Sequence, residues 1–256
     1  MFVDGVSLSD GRFEWVHRDT SEPLPSYEDD SVEVRRPGRD GEGIVPTTTG
    51  AVFYRLVVQT PRAHFETLLA LLKYGRMLSW GDGREARFVF QSNTPVGYGP
   101  ADALIDVTFV VKVPGAFWRD REASTVSAPL GALSVPVPVF ADMSAPVQDG
   151  VIRVKGAATG IQITDASGAW LTLPDVAAGE FVRFDMDTGR AWRTITDTWA
   201  GGTEVSGLVN FGGPRGVFEI TPSFTDPNDR AGELTVTTAS RSGAVVDVRG
   251  KAAYLT

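Results

Sequence analysis

From Val151 to Gly250 the chain is cut into short runs that turn residues separate: VIRVK (151–155), GIQIT (160–164), AWLTL (169–173), FVRFDMD (181–187), AWRTI (191–195), GVFEI (216–220), ELTVTT (233–238) and AVVDVRG (244–250). Runs this short, rich in β-branched and aromatic residues and recurring at near-regular spacing, predict a β-sandwich or barrel. Asp187-Thr188-Gly189 between two of them has the composition of a hairpin turn. Upstream, Ile105, Val107, Phe109, Val111 and Val113 alternate with Asp106, Thr108 and Lys112. Period-two alternation of that kind puts one face on a core and the other on solvent.

One helix stands out against this background. Thr60 can cap it, and Pro61 suits a first helical position. Phe65, Leu68, Leu69 and Leu72 then make an apolar stripe, and Gly75 is a stop. A lone stripe is expected to lie on its own sheet. Trp80-Gly81-Asp82-Gly83 predicts a tight turn into a strand at 86–91. Residues 121–150 are rich in Pro, Ala and Ser and show no helical period. The expected organisation is a helix-bearing, barrel-like β domain at 1–125 and an all-β sandwich at 126–256.

Charge and composition exclude several functions. At 256 residues the chain has room for two small domains, and its net charge of −8 opposes the phosphate neutralisation that a nucleic-acid binder needs. With no cysteine, disulfides, Cys-ligated zinc and thiol catalysis are excluded. MFVDGVSLSDG has an acid at position 4 and no basic end followed by an apolar run, so no signal peptide is expected. No stretch reaches the about 18 apolar residues of a membrane-spanning helix. The reading is a protein that does not insert into membranes.

Catalytic chemistry has little material. His17 and His64 are the only histidines, and both read as solvated groups. Gly250-Lys251 and Gly41-Glu42-Gly43 lack the rest of any phosphate or dinucleotide loop. Asp226–Glu233 has Arg230 where an EF-hand needs an oxygen and Ala231 where it needs glycine, leaving at most an irregular cation site. Asp185 and Asp187 could share a strand face at glycosidase spacing, but aspartates beside a turn are ordinarily solvated. No catalytic, cofactor-binding or metal residue is therefore assigned, and no cofactor is expected. Of Trp170, Trp192 and Trp199, the first two read as core, and Trp199, beside Gly201-Gly202, is the candidate for stacking on a sugar.

The segment from Arg18 to Gly50 is polar, carries Pro23, Pro25, Pro37 and Pro46, and holds one strand-like island at Val32–Arg35. A long irregular loop in a compact domain is usually functional or disordered. Here it is read as an arm ordered by a neighbouring subunit, with Pro37, Gly38, Arg39, Asp40 and Gly41 at its centre.

VEVRRPGRDG (32–41), followed by the strand AVFYRLVVQT (51–60), one amphipathic helix and further strands, resembles the amino-terminal half of siphophage distal tail (Dit) proteins. PGAFWRDREAS (114–124) is similar to actinobacteriophage tail proteins. ADMSAPVQDGVIRVKG, LPDVAAGEFVRFDMDTGRAW and VVDVRGKAAYLT resemble the galectin-like sandwich that distal tail proteins carry. The resemblance implies a structural virion protein without enzyme activity, located in the virion tail after assembly in the host cytoplasm. It implies a hexameric ring of amino-terminal domains joining the tail tube protein to the tip or hub protein, with DNA passing through the lumen. The alternatives are a carbohydrate-binding module that assists adsorption to the host envelope and, more distantly, a glycan hydrolase using Asp185 and Asp187. Galectins hold sugar with His, Asn and Arg around a Trp, whereas the second domain has no histidine and only Asn210 and Asn228, so that sugar site is not expected.

Overall fold

A computed structural model describes residues 1–15, 22–26, 29–35, 42–96, 104–115, 117–225 and 230–255; at 15–49 and at Val96 the description is of backbone alone. The protein is mainly β and divides into two compact units, Met1–Arg121 with Leu255–Thr256, and Glu122–Tyr254.

The first unit contains β1 (Phe2–Val3), β2 (Val6–Ser7), β3 (Glu14–Trp15), β4 (Glu22–Ser26), β5 (Asp29–Arg35), β6 (Glu42–Thr49), β7 (Val52–Pro61), α1 (Phe65–Tyr74), β8 (Met77–Ser79), β9 (Arg84–Arg87), β10 (Val89–Val96), β11 (Leu104–Val113) and β12 (Trp118–Asp120). One sheet runs β2-β1-β8-β9-β12, and a second runs β10-β11-β7-β3 with β4 also on β7. The alternation in β11 behaves as expected: Ile105, Val107, Phe109, Val111 and Val113 are all buried. They face Tyr54, Leu56 and Val58 of β7 and Leu68 and Leu72 of α1 in one core. Trp118 links the two sheets, donating from Nε1 to the Tyr54 hydroxyl at 2.5 Å with the rings edge-on at 5.8 Å.

The helix starts later than its sequence signals. Thr60 and Pro61 finish β7, residues Arg62–His64 form a 3-10 turn, and His64 takes the N-cap position. Thr60 is fully buried, and its hydroxyl donates to the Arg12 carbonyl at 3.3 Å, so tertiary pairing overrides the local cap signal. Gly75 does end the helix, but in extended rather than left-handed geometry. Its requirement is steric: a Cβ there would stand 2.5 Å from both the Leu71 carbonyl oxygen and a Val3 methyl.

Within the segment read as irregular, the described residues at 22–26, 29–35 and 42–49 are strand. β5 and β6 pair antiparallel from Asp29↔Thr49 to Arg35↔Glu42 and form a sheet of their own. Pro37, Gly38, Arg39, Asp40 and Gly41 lie outside the described residues.

The second unit contains β13 (Ser124–Pro129), β14 (Ser134–Val139), β15 (Val151–Thr159), β16 (Ile161–Asp165), β17 (Trp170–Leu173), β18 (Phe181–Asp185), β19 (Arg190–Thr194), β20 (Thr203–Glu204), β21 (Asn210–Gly212), β22 (Gly232–Thr237), β23 (Ser240–Gly250) and β24 (Ala253–Tyr254). β13 to β23 form two antiparallel sheets, β13-β23-β15-β18-β19-β20 and β14-β22-β16-β17-β21. Ile152, Val154, Val182, Phe184, Val246 and Val248 of the first sheet are buried, as are Val137, Ile161, Ile163, Leu171, Leu234 and Val236 of the second. Phe184 meets Phe211 across the gap, ring centroids 5.3 Å apart, which makes the unit a sandwich.

Two strands occupy the Pro-, Ala- and Ser-rich stretch at 121–150. β13 spans Val126, and β14 is the run SVPVPV. Both are edge strands, where proline's missing N–H costs no ladder bond. In the opposite direction, GVFEI (216–220) makes only an isolated bridge, Ile220 to Val147.

Candidate functional site

A row of polar and charged groups lies on the outer face of the six-stranded sheet in the second unit. Register aligns Ser127, Asp247, Arg153, Arg183, Trp192 and Glu204 in one row across β13, β23, β15, β18, β19 and β20. In sequence Asp247, Arg153 and Arg183 alternate with the core residues Val246, Val248, Ile152, Val154, Val182 and Phe184. In the fold Asp247, Arg153 and Arg183 are buried, at 1%, 4% and 8% exposure, because they cover one another.

Pairing makes that burial tolerable. Asp247 accepts from the Ser127 hydroxyl at 2.6 Å and from Arg153 Nη2 at 2.7 Å, with Lys155 Nζ at 3.2 Å. Burial pushes the Asp247 carboxyl up, but the bonds from Ser127, Arg153 and Lys155, with the charge of Lys155, outweigh it and hold the group below the ordinary aspartate range. Arg153 also reaches Asp197 at 2.6 Å. Arg183 is placed beside Arg153 with no such carboxylate; its Nη1 has no hydrogen-bond partner among the described residues. The Trp192 ring takes that role, 4.7 Å from the guanidinium, and burial draws Arg183 below the usual arginine range against the opposing charge of Asp185.

Trp199 lies over this row. It is half-buried, with the Arg153 guanidinium 4.1 Å and the Arg249 guanidinium 5.5 Å from its ring centroid. Trp192 and Trp170, expected in the core, are both on outer faces, Trp192 half-buried and Trp170 38% exposed. The signal for this was available: Trp170 and Trp192 alternate with the inward residues Leu171 and Ala191.

Asp185 and Asp187 do not form a pair on one strand face. β18 ends at Asp185, whose carboxylate accepts from the Thr188 N–H at 3.0 Å and holds the turn, while Asp187 is exposed within that turn. Asp226–Asp229 lie outside the described residues, and among those described no cluster of three His, Asp or Glu could hold a metal. Among the described residues no helix is long and apolar enough to cross a membrane.

In the first unit the described residues include a sheet edge, a separate hairpin and an exposed apolar patch. β10 pairs with β11 alone and carries a bulge between Phe90 and Ser92, with Pro95 beyond it. Both devices blunt an edge against indiscriminate pairing. Among the described residues the β5–β6 hairpin pairs with no further strand. On the outer face of the β10-β11-β7 sheet, Val89, Lys112 and Phe53 align, Val89 and Phe53 being about half exposed, with the Lys112 ammonium 5.8 Å from the Phe53 ring centroid.

No protein-family model matches the sequence, and no curated protein matches it. Among solved structures the chain is similar to the Dit protein of phage SPP1, described as a paradigm of the hub adsorption apparatus in phages that infect Gram-positive bacteria. That likeness covers 97% of both chains at 14% identity with a TM-score of 0.57, so the chain carries that distal tail protein's fold. Two structures of the phage P2 baseplate in its activated conformation, with Ca and with Sr, align over 96% of this chain and 93% of theirs at 8% identity. Their TM-score of 0.32 is too low to carry an argument.

Proposed function

We propose that the chain is a structural subunit of a siphophage tail, located at its distal end, where copies form a hexameric ring between the tail tube and the tip or hub complex. The observation that carries this reading is the β5–β6 hairpin, a two-stranded sheet attached to a distal-tail fold and paired with nothing else among the described residues. An isolated two-stranded hairpin is marginal in water and gains stability by packing on another surface. A neighbouring copy is that surface, and residues 37–41, between β5 and β6 in sequence, are the arm's point of contact.

A closed ring also suits the edges. Each copy presents one bulged, proline-bearing strand, so pairing is confined to a partner of matching shape. The net charge of −8 keeps DNA from adhering to the lumen during passage. Neither the ring nor the passage needs an enzyme or a cofactor.

The test is the mass of the full chain, alone and mixed with the tube and hub proteins. A species at six times 27.5 kDa is expected, at least in the mixture. A chain that stays monomeric with both partners present overturns the ring.

A further inference from the structure

The outer face of the five-stranded sheet in the second unit is unlike the rest of the molecule. Its register sets Ser134, Thr237, Gln162, Thr172 and Asn210 in one row across β14, β22, β16, β17 and β21. The next row is Pro136, Thr235, Thr164, Trp170 and Gly212. Their strand neighbours Val137, Ile163, Leu171 and Val236 are buried, so these rows face outward. None of the ten positions is ionisable, in a chain with 24 basic and 32 acidic residues. Glu233, beside Pro138, is the carboxylate at the margin. With strands about 4.8 Å apart, each row extends roughly 19 Å.

Trp170 gives this face a platform. A Cβ on Gly212 would stand 3.3 Å from each of the indole atoms Cε2, Cζ2 and Nε1. The indole therefore packs against the Gly212 position, and Trp170 is still 38% exposed. Around it the hydroxyl and amide groups are unspent. Among the described residues, only Thr237 in these rows bonds within the chain through its side chain, donating to the Gln162 carbonyl at 3.3 Å.

We propose that this face binds a neutral polysaccharide. An apolar pyranose face lies over Trp170, and the sugar hydroxyls exchange hydrogen bonds with Gln162, Thr164, Thr172 and Asn210. The chemistry selects among occupants. A nucleic acid would need cations, and none is present in the rows. A protein partner would need an apolar centre, whereas Trp170 is surrounded by threonines, a proline and a glycine. A neutral polyol needs what is there, a flat aromatic and uncharged donors and acceptors at sheet spacing. This site is on the sheet opposite Trp199 and is independent of ring assembly.

Native affinity electrophoresis of the full chain tests it, in gels containing in turn a soluble β-glucan, an α-glucan, a galactan and a mannan, with polygalacturonate as the acidic control. At least one neutral polymer is expected to retard the chain, equally at low and high salt because no ion pair is involved. Trp170→Ala should weaken that retardation about tenfold, Trp170→Phe should retain most of it, and Trp199→Ala should leave it unchanged. Far-UV circular dichroism and oligomer mass are measured on the same variants and are expected to match wild type. Retardation by no neutral polymer overturns the proposal. So does retardation that survives in Trp170→Ala, or that appears only with polygalacturonate and vanishes in salt. A loss of oligomer mass in Trp170→Ala would assign the face to a protein contact and overturn it equally.

Discussion

At the scale of single residues, two positions carry requirements that their sequence neighbourhoods conceal. Gly75 follows a helix and reads as a left-handed stop, yet its φ is −63° and any residue could adopt that backbone. What excludes a side chain is the Leu71 oxygen and the Val3 methyl, each 2.5 Å from a Cβ position. Gly75→Ala should therefore destabilise the fold by about 1–3 kcal/mol, read as a lower urea midpoint. An unchanged midpoint would mean that the helix end shifts freely. Asp247 is the second case. It alternates with Val246 and Val248, and Ser127, Arg153 and Lys155 close over it from two neighbouring strands. Contacts 94 and 120 residues apart in sequence leave no local signal.

Because the folded carboxyl of Asp247 is held below its ordinary value near 3.8, its contribution to stability is complete above that pH and is lost as pH falls through the depressed value. Asp247→Asn should cost about 3–5 kcal/mol at neutral pH, since it leaves Arg153 buried beside Arg183 with less compensation. The gap between the variant and wild type should narrow in acid, where the wild-type carboxyl protonates too. Urea unfolding at neutral and acid pH measures both, and equal midpoints at neutral pH would contradict the pairing.

At the scale of elements, period-two patterns were legible and context was not. β11, β16, β18, β22 and β23 follow from alternation alone, and their inward residues are the core. β14 was hidden by Pro136 and Pro138, although Val135, Val137 and Val139 alternate through them. Position at a sheet edge makes those prolines harmless, and a single sequence does not reveal edges. Helix α1 was visible from its stripe, but its start moved by four residues' worth of strand and 3-10 turn because Thr60 pairs with Ile105 in the sheet. Leu72→Ala should cost about 2–5 kcal/mol through the cavity left against the β7–β11 sheet, measured by thermal melting. The β5–β6 hairpin forms a sheet separate from the two larger sheets of its unit, so replacing residues 29–49 with a short Gly-Ser linker should spare the melting temperature and abolish the ring. Loss of folding instead would place the hairpin within the unit's own stability.

At the scale of the whole molecule, the order of elements was the readable quantity. A strand-like run ending in a Pro-Gly turn, a loop, a strand and one helix, then a run of short strands, pointed to a distal-tail fold, and the likeness to SPP1 Dit over 97% of the chain has that same fold. The functional surfaces were harder to read because they are assembled across sheets. Trp199 drew attention through its glycine neighbours, while the flat, ion-free face around Trp170 exists only once β14, β22, β16, β17 and β21 are in register. Cryo-electron microscopy of assembled tails tests the central claim most directly. The account predicts an annular layer between tube and tip built from this chain, with each β5–β6 hairpin resting on the adjacent copy. Density that places the chain elsewhere, or a layer in which every hairpin folds back on its own subunit, would contradict it.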